Sequence, residues 1–212
     1  AFGIGPLIAA SLGLILLGLL RTPLRWSGFA LVLVAALWAA RTPQPDILIS
    51  ADGRHVGVRG GDGKLHVMHA VKGSRDSFLL KEWLAADADA RTASESEASL
   101  TEGVSCDDLG CVMQPAGGGL VAQAYRAEAL ADDCERAALI VTLRQAPASC
   151  AASVIDADRL RRQGAMALRR GREGFVVEAV KPRGIDRPWS PAAADESDAD
   201  TNVLAARIVP PR

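Results

Sequence analysis

The chain has 212 residues, with 24 Lys+Arg against 25 Asp+Glu and a formal net charge of −1. That balance excludes a protein that holds nucleic acid by overall basicity, and the length leaves room for one ordinary domain beyond an apolar start. Hydrophobic residues make up 49 % of the chain, but they are concentrated at its beginning, where positions 1–40 carry only Arg21 and Arg25 as charges. The start at Ala1, without Met and without the basic beginning of a signal peptide, is read as an internal position of a longer protein or as a chosen boundary.

Ala1 to Leu20 is free of charge, and about twenty helical residues cross the ~30 Å hydrocarbon layer of a bilayer. Gly3, Gly5, Pro6, Gly13 and Gly18 would weaken a soluble helix but are common in membrane helices. A second apolar segment runs from Trp26 to Ala40, short for a span, with Trp26 and Trp38 near its ends as an aromatic belt places them. Two transmembrane helices over 1–41 are therefore expected, with one span plus a buried or interfacial helix as the alternative. The turn Arg21-Thr22-Pro23-Leu24-Arg25 carries two Arg and no acid, which favours the cytoplasmic side and puts the rest of the chain on the periplasmic or extracellular side.

Pro43 and Pro45 end the apolar region, and a β-meander follows: Ile47 to Ser50, His55 to Arg59 and Leu65 to His69, separated by the turns Ala51-Asp52-Gly53-Arg54 and Gly60-Gly61-Asp62-Gly63. Asp76 is placed to cap a helix reaching about Ala86. Asp87 to Gly103, rich in Ala, Ser, Thr and acid, reads as a flexible surface loop. The later elements are a Cys106/Cys111 hairpin, a strand from Leu120 to Tyr125, a helix over Ala127 to Arg136 and a strand over Leu139 to Leu143. A short strand at Val154-Ile155 leads to Asp156 as N-cap of a helix ending at Gly164. Strands at Ala165 to Arg169 and Phe175 to Val180 come last. The expected class is α+β: a helical hairpin (1–41), a small mixed domain (46–185) and a disordered tail (186–212).

The four cysteines are Cys106, Cys111, Cys134 and Cys150. An even number at close spacing in an external domain predicts two disulfides, with Cys106 and Cys111 facing each other across a hairpin and Cys134 tied to Cys150. A four-thiolate zinc site is the rival, although neither pair has the C-x₂-C spacing of a zinc knuckle; free thiols are the third reading. The chain holds three His, at positions 55, 66 and 69. Strand geometry would send His66 and His69 to opposite faces, so no metal site and no cofactor is expected. The adjacent acids Asp107-Asp108 and Asp132-Asp133 read as turn and cap residues. Gly117-Gly118-Gly119 reads as a turn, since no Lys-Ser/Thr follows it as in a phosphate loop.

Between Arg159 and Arg187 the basic residues Arg159, Arg161, Arg162, Arg169, Arg170, Arg172, Lys181, Arg183 and Arg187 face only Glu173, Glu178 and Asp186. Such a cluster can contact DNA phosphates, with Trp189 as a stacking platform. It can equally serve lipid headgroups, another protein, or nothing beyond solvation.

Several stretches in combination resemble one family: the apolar hairpin; Pro45-Asp46-Ile47-Leu48-Ile49-Ser50 with Ala51-Asp52-Gly53-Arg54-His55-Val56-Gly57-Val58-Arg59; Phe78-Leu79-Leu80-Lys81-Glu82-Trp83-Leu84; Cys106-Asp107-Asp108-Leu109-Gly110-Cys111; Ala131-Asp132-Asp133-Cys134; Val154-Ile155-Asp156; Gly164-Ala165-Met166-Ala167-Leu168; and Asp186-Arg187-Pro188-Trp189. They resemble the C-terminal region of the ComEC family of competence proteins in its alphaproteobacterial form. The resemblance implies an inner-membrane, multi-pass protein that passes single-stranded DNA into the cytoplasm during natural transformation. Its partners would be single-stranded DNA, the remainder of the same channel and the lipid bilayer. Many members of that family end in a metallo-β-lactamase-like domain. Here the H-x-H-x-D-H run such a hydrolase needs is missing, so the resemblance implies at most a degenerate scaffold without catalysis. The alternative is a divergent metal-dependent nuclease.

Overall fold

In the computed structural model, residues 4–41, 43–69, 77–91, 93, 97–171, 174–181 and 203–205 are described. The chain divides into two compact units, Ala1–Gln44 and Pro45–Arg212.

The first unit is a helical hairpin of α1 (Ile4–Leu19) and α2 (Arg25–Ala40). Its interior is made of small residues: Pro6, Gly13, Gly28 and Ala35 are buried. Gly13 and Gly28 let the backbones meet, since a Cβ on Gly28 would lie 2.6 Å from the Gly13 carbonyl oxygen. The large apolar side chains face outward, with Ile4, Leu7, Leu14, Trp26, Phe29 and Trp38 all more than half exposed. Each helix has 16 residues, or about 24 Å of rise. Among the described residues no helix is long and apolar enough to cross a membrane. This corrects the expectation of two transmembrane helices: the uncharged stretch is longer than the helix, which ends at Leu19, before the Arg21–Leu24 turn.

The second unit is a mixed α+β sandwich. Its strands are β1 (Ile47–Ile49), β2 (His55–Arg59), β3 (Leu65–His69), β4 (Val104–Cys106), β5 (Gly110–Met113), β6 (Leu120–Ala124), β7 (Ala137–Thr142), β8 (Ser153–Ile155), β9 (Met166–Arg170), β10 (Gly174–Ala179) and β11 (Val203–Ala205). Its helices are α3 (Ser77–Ala86), α4 (Glu97–Leu100), α5 (Ala127–Arg136) and α6 (Ala157–Gln163). One sheet has the order β11-β10-β9-β1-β2-β3 and is antiparallel throughout. The other, β4-β5-β6-β7-β8, is antiparallel up to β6 and parallel from β6 to β8.

The main core gathers side chains from both sheets. Ile47, Ile49, Val56, Val58, Leu168 and Phe175 of the first meet Met113, Val121, Leu139, Val141 and Ile155 of the second. Period-two alternation explains the choice: along β6, Val121 joins this core while Ala122 and Ala124 join a second cluster with Leu130 and Cys134 of α5. The short, continuously apolar β7 is buried along its whole length, as a parallel strand covered on both faces must be.

Two stretches differ from expectation. Within Asp87 to Gly103, α4 forms and Leu100 is buried. The tail expected to be disordered supplies β11, which pairs with Gly174, Phe175 and Val176 as an edge strand. The expected cap Asp76 lies outside the described residues.

Candidate functional site

Both predicted disulfides are present, Cys106–Cys111 and Cys134–Cys150. Cys106 and Cys111 are direct cross-strand partners in the β4–β5 hairpin, held by Asp107, whose carboxylate accepts from the Leu109 and Gly110 amides at 2.8 Å. Cys134, on the last turn of α5, joins the loop before β8 and closes the helix onto the second sheet.

Among the described residues the basic candidates do not form one surface. Asp156 caps α6 by accepting from the Arg159 amide at 2.8 Å, and Gly164 ends the helix at φ +74°. This geometry turns Arg159 inward, where it is 8 % exposed and its Nε donates to Gln163 Oε1. Arg159 is therefore removed as a DNA contact: a helix with its apolar face on Leu160 also buries the adjacent stem. Arg161 is exposed and ion-paired with Asp158, Arg162 is half-buried, and Lys181 joins them at the end of α6 through its amide on Gln163 O at 3.0 Å.

Arg169 and Arg170 lie at the opposite end of β9, about 13 Å of strand away. Arg169 pairs with Glu178 at 3.5 Å. Arg170 is a latch between the sheets: its guanidinium donates to Gly117 O and Gly118 O and lies 5.5 Å from the centre of the Phe175 ring. Arg172, Arg183 and Trp189 lie outside the described residues.

The strand register sets His66 apart from the other two histidines and places His69 opposite His55. His66 pairs with Val58. His66 Nε2 sits 3.1 Å from Asp62 Oδ1, and this hydrogen bond is the main cause holding the Asp62 carboxyl below its usual range. Among the described residues no group of three His, Cys, Asp or Glu is placed to hold a metal ion.

A site that sequence reading missed lies at the carboxyl ends of β6 and β7, where parallel strands place crevices. A cavity of about 300 Å³ opens there against the β1–β2 turn, lined among others by Gly53, Arg54, Gln123, Tyr125, Thr142 and Leu143. The turn is fixed by Asp52. Burial opposes ionisation of its carboxyl, but hydrogen bonds from Ser50 Oγ and the Arg54 amide outweigh that and lower its pKa. Gly53 has φ +66°, and a Cβ there would come within 2.7 Å of Leu160, so only glycine suits both the backbone and the space.

Gln123 reaches across the sandwich, its Nε2 donating to Gly53 O at 3.0 Å and Arg54 O at 3.1 Å. Those two bonds fix which way the amide faces. Its Oε1 is buried and accepts no hydrogen bond from the described residues. Thr142 Oγ1 donates to Ala124 O at 3.0 Å and ties the ends of the two strands. The Tyr125 hydroxyl lies 2.8 Å from Cys111 Sγ; a disulfide sulfur carries no hydrogen, so the hydroxyl donates. Burial, helped by the Asp107 charge, pushes this tyrosine up to about 12, which keeps it neutral. The available clue in the sequence was Gln123 itself, a polar residue inside the apolar run Leu120-Val121-Ala122-Gln123-Ala124.

No protein-family model matches the chain, and no curated protein and no solved structure matches it.

Proposed function

We propose that this chain is the C-terminal part of a ComEC-like inner-membrane channel for single-stranded DNA, with its α+β unit on the periplasmic side as a non-catalytic element of the DNA path. The observation that carries the reading is the inverted hairpin, small residues inside and large apolar ones outside. Water disfavours that arrangement, whereas lipid and neighbouring membrane helices accept it. Arg21 and Arg25 in the turn of the hairpin are read as facing the cytoplasmic side. Two disulfides suit an oxidising compartment on the other side. The sandwich is read as a worn metallo-β-lactamase-like scaffold whose metal ligands have been replaced.

The basic group Arg161, Arg162 and Lys181 is the contact for the strand. Labelled single-stranded DNA, titrated onto the full chain in lipid nanodiscs at several salt concentrations, tests this. Three phosphate contacts predict a log–log slope of about −2, from roughly −0.7 per contact. Arg161→Glu with Arg162→Glu should flatten it. Absence of binding at low salt, or binding unchanged by the double substitution, would remove the DNA role. Cleavage of the DNA on adding Mn²⁺ or Zn²⁺, lost in His66→Ala, would instead establish the metal-dependent nuclease.

A further inference from the structure

The Cys106–Cys111 disulfide adds little to the hairpin that carries it. The β4–β5 turn is closed without it: the Asp107 amide donates to Gly110 O at 2.9 Å, the Asp107 carboxylate accepts from the Leu109 and Gly110 amides, and Leu109 O accepts from the Tyr125 amide at 2.9 Å. The two cysteines are five apart in sequence, and so short a loop leaves little chain entropy for a cross-link to remove. They also stand in unlike surroundings. Cys106 is exposed on a three-residue edge strand, whereas Cys111 is 1 % exposed. The Tyr125 hydroxyl donates to the buried member, Cys111 Sγ, at 2.8 Å.

Thiol–disulfide exchange needs an accessible sulfur to attack and a partner sulfur able to leave as thiolate. We propose that Cys106–Cys111 is a reversible exchange site for the dithiol of a protein oxidoreductase, with Cys106 attacked, Cys111 leaving and Tyr125 as hydrogen-bond donor to the leaving thiolate. A partner thiolate attacks Cys106 Sγ and forms a mixed disulfide, and the electron pair of the broken S–S bond goes to Cys111. The partner's second thiolate then attacks its own sulfur in the mixed disulfide and releases Cys106 as thiolate. The cysteine pair gains two electrons, and two protons from water, while the partner's dithiol becomes a disulfide; the reverse sequence re-forms the bond. Tyr125 keeps its proton throughout, since burial pushes it up to about 12. The partner's charge follows from the acids beside the site. Asp107 and Asp108 come directly after Cys106, and the Asp107 charge reaches Tyr125 and Asp133. That field repels an anionic thiol and attracts one set among cationic groups. It also opposes a thiolate at Cys111, so a donor already in place on that sulfur matters.

The full chain in lipid nanodiscs is equilibrated with mixtures of reduced and oxidised dithiothreitol, without denaturant; free thiols are trapped with N-ethylmaleimide and located by peptide mass spectrometry. Cys106–Cys111 should be reduced with an equilibrium constant about fivefold or more above that of Cys134–Cys150, the difference between loops of five and 16 residues. With the monothiols cysteamine and glutathione, the adduct should sit on Cys106 and the trap on Cys111. Cationic cysteamine should react faster than anionic glutathione, by a margin that shrinks as salt is added. Tyr125→Phe should slow the exchange about tenfold, the loss of one hydrogen bond to a charged group.

Reduction of Cys134–Cys150 ahead of Cys106–Cys111, or together with it, would overturn the proposal, as would an adduct on Cys111. An unchanged rate in Tyr125→Phe would overturn the part given to the hydroxyl. If that variant does not fold, the position of the adduct in the parent protein decides alone. Glutathione reacting as fast as cysteamine would overturn the cationic partner. None of these outcomes depends on the DNA role proposed above.

Discussion

Arg91 shows how one side chain can order a stretch that composition marks as loose. Its guanidinium donates to Ser99 O, to Leu65 O at 2.7 Å and to Asp89 Oδ2 at 2.6 Å, so a loop residue, the start of β3 and the segment around α4 are held by one group. The hydrogen bond from Arg91 is the largest influence on Asp89; it outweighs burial and lowers the carboxyl pKa. A lowered pKa means that the folded state prefers the ionised acid. Its contribution is then present above the unfolded value, about 3.9, and is lost as pH falls through the folded value. Asp89→Asn is expected to cost about 1.5–3 kcal/mol at pH 7, the range for hydrogen bonds to charged groups. The gap from the parent protein should close below pH 4 in urea titrations. A gap that persists unchanged into acid would show that the pair is not what orders the loop. Nothing in the local sequence announces this, because Asp-Ala-Arg in an Ala/Ser/Thr-rich run is also what a solvated loop contains.

Individual elements were legible wherever their determinants are local. α5 occupies Ala127–Arg136 as expected, and α6 starts at an aspartate cap and stops at a glycine. The first meander has its strands where alternation put them. The cysteine pairing was legible too, since Cys106 and Cys111 flank a four-residue turn, and Cys134 and Cys150 are 16 apart. A loop of that length predicts about 3 kcal/mol from the Cys134–Cys150 link. The double substitution Cys134→Ser with Cys150→Ser should lower the urea midpoint accordingly, whereas opening the five-residue Cys106–Cys111 loop should lower it less. Equal shifts would contradict the loop-length argument. The hairpin was only half legible. Absence of charge marks where helix is permitted, but the helices end where the turn's hydrogen bonds begin, with Arg25 N–H on Thr22 O and Trp26 N–H on Pro23 O.

At the scale of the whole molecule, the deciding contacts are far apart in sequence. β1 pairs on one side with its neighbour β2 and on the other with β9, Ile47 opposite Leu168. The first sheet is therefore closed by the end of the chain, and Leu168 and Phe175 complete its core at 0 % and 1 % exposure. A chain ending at Gly164 should lose cooperative unfolding of the α+β unit, followed by amide hydrogen exchange of β1 and β2. Retained protection there would show that β9 is dispensable. Such long-range pairing also predicts slow folding relative to a helical bundle of this size.

The sequence by itself determined the α+β class, the turns, the caps, the apolar hairpin and the disulfide partners, because each depends on side-chain chemistry within a few residues or on a simple period. Only the tertiary structure decided that Arg159 is buried, that Arg170 latches two sheets, that the described basic residues divide into two groups, and that Gln123 ties β6 to the carbonyls of Gly53 and Arg54. Those outcomes depend on which strand wins a place beside β1 and which ends of β6 and β7 meet the Asp52 turn. Competition among all the strands settles that, and no local stretch encodes it.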